Sequence, residues 1–174
     1  YDIVLRKLKD RIQSLILGNP LDKNTDIGAI NSKEQLGTIN KYLKIGQQEG
    51  AEMFQLDCPL PKKGFWCPPT LFTNVSQSHV IAKEEIFGPV LAIQTFRTID
   101  EVITKANNTP FGLSAGLWTD KGSKIFNLTS QMRAGVVWAN TYNKFDPTSP
   151  FGGYKESGHG REGGLHGLTP YLNF

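Results

Sequence analysis

The sequence has no apolar run approaching the roughly 20 residues that a helical membrane span requires, so no such span is expected within these 174 residues. Cysteine is scarce, with only Cys58 and Cys67 in 174 residues. They form neither a Cys-x-x-Cys pair nor a metal-ligand spacing. They could form one disulfide, but a single pair in this length is not a secreted disulfide scaffold. His79, His159 and His166 stand at no ligand spacing with carboxylates or cysteines, so no metal is expected. Formal net charge is only +3 with no basic run, so nucleic acid is not an expected partner. There is no Gly-x-Ser-x-Gly nucleophile elbow and no signal-peptide pattern. An initiating Met is also missing. The chain starts at Tyr1, inside a helix-like pattern, which suggests a fragment or processed piece.

What is present is the composition of a soluble globular protein, 39% hydrophobic and 20% charged, with 18 glycines and 10 prolines. The length suits one domain with a sizeable core. Three sequons begin at Asn74, Asn107 and Asn127. Such matches arise often by chance, and they are expected to be unused in a cytoplasmic protein.

Leu5, Leu8, Ile12 and Leu15 recur every three or four residues, predicting an amphipathic helix over 2–17 that Gly18 and Pro20 stop. Ser32 followed by Gln35 has the spacing of a capping box, and Leu36, Ile39 and Leu43 form the buried stripe of a second helix ending at Gly50. The proline-rich segment 57–64 reads as a surface loop and 69–72 as a short strand. An alternation follows: strand 90–96, a helix capped by Thr98 with Glu101 at its third position, turn 107–112, strand 113–119, helix 121–132, and strand 136–140. This order predicts an α/β fold, a mainly parallel open sheet with helices on both faces. Segment 141–167 is a Gly-rich loop after a strand's carboxyl end, where open α/β sheets place ligands. Phe145 and Phe151 within it either line an apolar pocket or plug the core. Gly158-His159-Gly160-Arg161-Glu162-Gly163 satisfies the dinucleotide pattern G-x-G-x-x-G. No strand leads directly into it and the given sequence ends before an acidic partner about 20 residues on could appear, so it reads as a tail loop. Neither Cys58 nor Cys67 has a cationic neighbour or a helix start to activate it, so both read as ordinary cysteines.

One stretch stands out, Lys83-Glu84-Glu85-Ile86-Phe87-Gly88-Pro89-Val90. Gly88-Pro89 is a turn signal, so Glu85 and Phe87 sit on a stiff loop at a strand edge. A carboxylate there can accept hydrogen bonds from two vicinal hydroxyls, and Phe87 offers a flat apolar face. The pair suits a ribose and an adjoining ring, or else is an exposed Glu and a core Phe beside a turn.

The octapeptide resembles a hallmark of the aldehyde dehydrogenase superfamily. The resemblance continues through Ala106–Leu113, Ala134–Asn140 and Ser149–Gly158, and upstream through Gly18–Asp22 and Gly46–Ala51, in one order over nearly the whole chain. It implies the C-terminal portion (1–174) of a catalytic domain in an enzyme oxidising aldehydes to carboxylic acids with NAD or NADP. A cysteine nucleophile, a glutamate general base and the cofactor domain would lie upstream, leaving no catalytic residue in this chain and predicting that it is inactive alone. The resemblance assigns Glu85 to the nicotinamide ribose hydroxyls, Phe87 to ring packing, Gln35 near the same ribose, and Phe145 and Phe151 to the aldehyde funnel. A lysine often found three residues after that glutamine is Thr38 here. The resemblance also implies a homo-oligomeric, cytoplasmic parent, whose final strand is cut short after Tyr171–Phe174. Asn107–Pro110, Leu117–Thr119 and Asp146-Pro147 lean toward family 16, some members of which lack the nucleophile. A non-catalytic scaffold or interaction domain is the alternative function.

Overall fold

A computed structural model describes residues 1–173. The chain divides into two compact units, residues 1–95 and 96–174. Phe174, the last residue of the segment expected to open a final strand, lies outside the described residues.

The first unit begins with α1 (Asp2–Gln13). It stops four residues short of the expected end because Ser14 turns its hydroxyl onto the Arg11 carbonyl, at 2.8 Å. A serine that bonds back to the main chain competes with helix continuation. Next, α2 (Lys33–Gln48) is capped by the Ser32 hydroxyl, which accepts from the Gln35 N–H at 3.1 Å. β1 (Glu52–Gln55) pairs antiparallel with β2 (Thr70–Thr73), and β2 pairs in parallel with β3 (Val90–Ala92). Leu71 and Phe72 on β2 are both 0% exposed. Successive strand residues point to opposite faces, so the strand feeds two cores. Leu71 packs with Ile12 of α1 and Leu56, while Phe72 packs with Ile39 and Leu43 of α2, Val75 and Ile81. Helices therefore cover both faces of this sheet, as the sequence predicts. Burying a side chain such as Phe72 is worth about 2–3 kcal/mol.

The second unit contains α3 (Ile99–Asn107), β4 (Phe111–Gly112), β5 (Ser114–Leu117), α4 (Gly122–Gln131), β6 (Val136–Ala139), β7 (Tyr154–Lys155) and α5 (Gly164–Leu168). β5 and β6 pair in parallel across α4, which is the expected crossover. The α/β class holds, but the described strands are not one continuous ladder. Antiparallel pairs β1–β2 and β4–β7 accompany the parallel ones. The strand expected over 90–96 is three residues long, because its ladder with β2 ends at Ala92 apart from the Ile93 N–H, which donates to Phe72.

The N-terminus of α3 is built as predicted. Thr98 Oγ1 accepts from the Glu101 N–H at 3.1 Å, and Glu101 Oε2 accepts from the Arg97 N–H at 2.8 Å. Glu101 also pairs with Lys105 at 2.6 Å. Lys105 and then the Arg97 N–H hold its carboxyl below the ordinary value of 4.5. A carboxylate with a depressed folded value contributes stability above its unfolded value, and loses it as pH falls through the folded one. Proton-detected titration of Glu101 should therefore give a midpoint below 4.5. In Lys105→Met the midpoint should move up toward that value. An unmoved midpoint would show that the pair is not what holds the carboxyl.

Candidate functional site

The expected turn is present in the first unit. Between a 3₁₀ turn at Val80–Ala82 and β3, the chain bends at Pro89, where the Val90 N–H donates to the Gly88 carbonyl at 2.7 Å. A bond across one residue is a γ-turn, and proline's fixed φ suits it. Gly88 is required by space, since a Cβ there would meet Ile39 Cδ1 at 2.6 Å and Cγ1 at 2.8 Å. Ile39 itself is 0% exposed, so it cannot readily yield.

Glu85 is exposed on this loop. Phe87 is 75% exposed, which removes the alternative of a core ring beside a turn. Phe87 also has φ 51, a left-handed conformation rare in a bulky residue. What holds it is Gln35. The capping box is only half made, because the Gln35 side chain does not turn back to Ser32. Its Nε2 instead donates to the carbonyls of Ile86, at 2.9 Å, and Phe87, at 3.2 Å. At the far end of the same segment Glu49 Oε2 accepts from the Val80 N–H at 2.9 Å. α2 and its C-cap Glu49 thus fasten both ends of the segment that presents Glu85 and Phe87. Gln35 lies against their loop, and Thr38 turns its hydroxyl to the Glu34 carbonyl.

The second unit carries a separate surface. Phe145 is 60% exposed and Phe151 half-buried, so neither ring plugs a core completely. Their centroids are 4.9 Å apart at 75°, and Phe145 meets Trp138 edge-on at 5.5 Å and 81°. These rings, with Val136, Asp146 and Pro150, line a concavity of 170 Å³. Edge-to-face rings attract beyond their buried area. Tyr142 continues the aromatic row, edge-on to Trp138 and stacked with Trp118. The Trp138 indole donates to the Lys144 carbonyl at 3.0 Å, fixing the loop's return. At its start Asn140, at φ 56, exchanges two side-chain hydrogen bonds with the Thr119 backbone, at 2.9 and 3.0 Å. Asp146 accepts from the Thr148 hydroxyl and N–H, which hold its carboxyl below the ordinary range. Sequence reasoning singled out the two phenylalanines but not Trp138 or Tyr142. Aromatics two residues either side of Asn140, at a strand's end, were the available signal.

The remaining sequence candidates resolve simply. The G-x-G-x-x-G segment folds back on itself: Phe151 and Glu162 exchange backbone bonds at 2.7 and 2.8 Å, and Arg161 donates to the carbonyls of Gly153, His159 and Gly160. Cys58 and Cys67 are free thiols. Cys67 is 3% exposed in the α2-side core, and burial pushes its thiol upward, away from the reactive thiolate. Among the described residues no group of His, Cys, Asp or Glu could hold a metal, and no helix is long and apolar enough to cross a membrane.

The aldehyde dehydrogenase family model matches residues 1–174, and the chain belongs to that family. Aldehyde dehydrogenase 1 of Tanacetum cinerariifolium is 44% identical over 172 residues, covering 99% of this chain and 34% of that protein. The rat protein named aldehyde dehydrogenase, cytosolic 1 is 43% identical over 171 residues, 98% of this chain and 34% of its own length. An NAD+ complex of aldehyde dehydrogenase from Bacillus cereus superposes with a TM-score of 0.94 at 38% identity, over 99% of this chain and 35% of that one. Betaine aldehyde dehydrogenase from Staphylococcus aureus, also with NAD+, gives 0.94 at 34% identity over 99% and 36%. The chain therefore spans about a third of the length of its relatives. The lean toward family 16 finds no support among these names.

Proposed function

We propose that this chain is the C-terminal portion of the catalytic domain of an NAD- or NADP-dependent aldehyde dehydrogenase that oxidises aldehydes to carboxylic acids. The observation that carries the reading is the exposed Glu85–Phe87 pair on a loop whose backbone Gln35 holds in place. These residues fit a nicotinamide riboside. Glu85 offers two carboxylate oxygens to the ribose hydroxyls, Phe87 lays an apolar face beside the ring, and Gln35 stands next to the same ribose while bracing the loop. When bound, the dinucleotide supplies the hydride acceptor. In the second unit Phe145 and Phe151 wall the aldehyde funnel. The NAD+ complexes of the Bacillus and Staphylococcus relatives support the cofactor assignment, and the rat relative's name supports a cytoplasmic location. The full-length parent is a homo-oligomer on this reading.

Among the described residues none is set up for the covalent step, since Cys67 is buried and Cys58, a free thiol, has no activating partner there. The isolated chain is therefore inactive. The test is paired. Purified full-length protein should reduce NAD+ or NADP+ with an aldehyde, and the purified 174-residue chain should not. NADH production by the short chain would overturn the assignment of the chemistry to other residues. Cofactor binding without turnover by the full-length protein would favour the scaffold reading instead.

A further inference from the structure

Lys155 pairs with no carboxylate among the described residues. Its Nζ donates instead to the carbonyls of Asn107 and Thr109, both at 3.0 Å. Asn107 is the last residue of α3. The final carbonyls of a helix lack partners within it and carry the negative end of its dipole, and a lysine ammonium satisfies both needs. Lys155 reaches that point from β7 with φ 54, a conformation seldom adopted outside glycine and asparagine. Its neighbours are fastened to the same region. The Glu156 N–H donates to the Pro110 carbonyl and Ser157 Oγ accepts from the Gly112 N–H, both at 3.0 Å. The Asn107 side chain binds the Gln131 carbonyl and the Arg133 N–H, at 2.9 and 2.8 Å, so the end of α4 meets the same knot.

Four residues before Lys155 stands Phe151, whose other side is tied by its backbone pair with Glu162. Arg161 donates to the Gly153 carbonyl at 2.7 Å and lies 4.9 Å from the Tyr154 ring centroid. The short segment between Phe151 and Lys155 therefore has two cationic anchors.

The geometry points to Lys155 as a positioning residue: its ammonium, bridging the carbonyls at the end of α3, sets where Phe151 stands in the aromatic wall. This rests on the reading of Phe145 and Phe151 as aldehyde-facing. Lys155→Met keeps an apolar stem of similar length but removes the donors and the charge. The two carbonyls then turn to water, β7 keeps its backbone pairing with β4 but loses its tie to the end of α3, and Phe151 shifts against Phe145. Misplacement by an ångström can cost on the order of 100-fold where geometry matters.

The experiment uses the full-length protein with Lys155→Met, Lys155→Arg and Phe151→Ala. Benzaldehyde, which needs an aromatic wall, is compared with acetaldehyde, which does not. Lys155→Met should raise KM for benzaldehyde about 10-fold, leave KM for the dinucleotide within about twofold, and change acetaldehyde little. Lys155→Arg, with several donors in reach of both carbonyls, should recover most of the loss. Without turnover, benzaldehyde affinity is read from quenching of tryptophan fluorescence. If Lys155→Met lowers the unfolding temperature but leaves benzaldehyde affinity unchanged, the lysine only stabilises the fold and the proposal is overturned. If Phe151→Ala is also without effect, the aromatic-wall reading fails. An effect of Phe151→Ala alone removes only the role of Lys155. Should Lys155→Met not fold, Lys155→Gln, which retains a neutral donor, is measured by the same criteria.

Discussion

Gly135→Ala should cost about 4 kcal/mol and lower the unfolding temperature of the second unit by roughly 10 °C or more. An added Cβ would run into the Gly152 carbonyl, which is backbone and not a side chain that can rotate away. The Gly135 N–H is also bound to the Gly112 carbonyl at 3.0 Å, so the strand cannot retreat without breaking that bond. Gly112 is constrained likewise, its Cβ position lying 2.7 Å from the Arg133 carbonyl. Three stretches of main chain meet here at distances that only glycine permits. Overpacking of this kind is usually costed at 1–3 kcal/mol where side chains can adjust, and here no side chain is available to do so. Gly37→Ala is the control. Gly37 lies within α2 with nothing within 4 Å of its Cβ position, so alanine there should stabilise by about 0.5–1 kcal/mol. Thermal unfolding followed by circular dichroism checks both signs. Equal effects at the two sites would show that the seam is not the cause.

Glu85→Gln in the full-length protein should slow aldehyde oxidation by roughly 30-fold, equivalent to about 2 kcal/mol. A carboxylate accepting from two hydroxyls makes charge-assisted bonds about twice as strong as neutral ones. Glutamine keeps the size and one acceptor but loses that charge, so the ribose and its ring are less firmly placed for hydride transfer. Ester hydrolysis, which needs no hydride transfer, should change less. A deuterated aldehyde reports whether the hydride step has become limiting. Phe87→Ala should act in the same direction, because its exposed ring has little folding role to lose. An unchanged rate and isotope effect in Glu85→Gln would reduce Glu85 to a surface carboxylate.

Local features were legible in the sequence. The Ser32 and Thr98 caps stand where side-chain spacing puts them. The apolar stripe of α2 faces the core, and the Gly88-Pro89 turn forms at its expected place. Each depends on residues close together in the chain. The missed features depend on distance along it. Gln35 has the spacing of a reciprocal cap, yet its amide finds better partners 51 and 52 residues away. The shortness of β3 reflects where its ladder with β2 ends, which alternation within one strand cannot reveal. The Trp138–Tyr142 contact and the glycine seam likewise join residues through the fold. For the surface in the second unit, two phenylalanines were visible as a pair, but the rest of the row emerges only when Asn140 turns the chain.

α2 with its C-cap acts on the Glu85 loop as a splint, with Glu49 at Val80, Ile39 under Gly88 and Gln35 at the carbonyls of Ile86 and Phe87. A loop so fixed has already lost most of its conformational freedom during folding. A ligand that docks on it meets a surface in its final shape, and little further ordering is charged against the association. Loosening the splint would therefore leave the ligand's contacts unchanged and weaken binding through a larger entropy cost of ordering the loop.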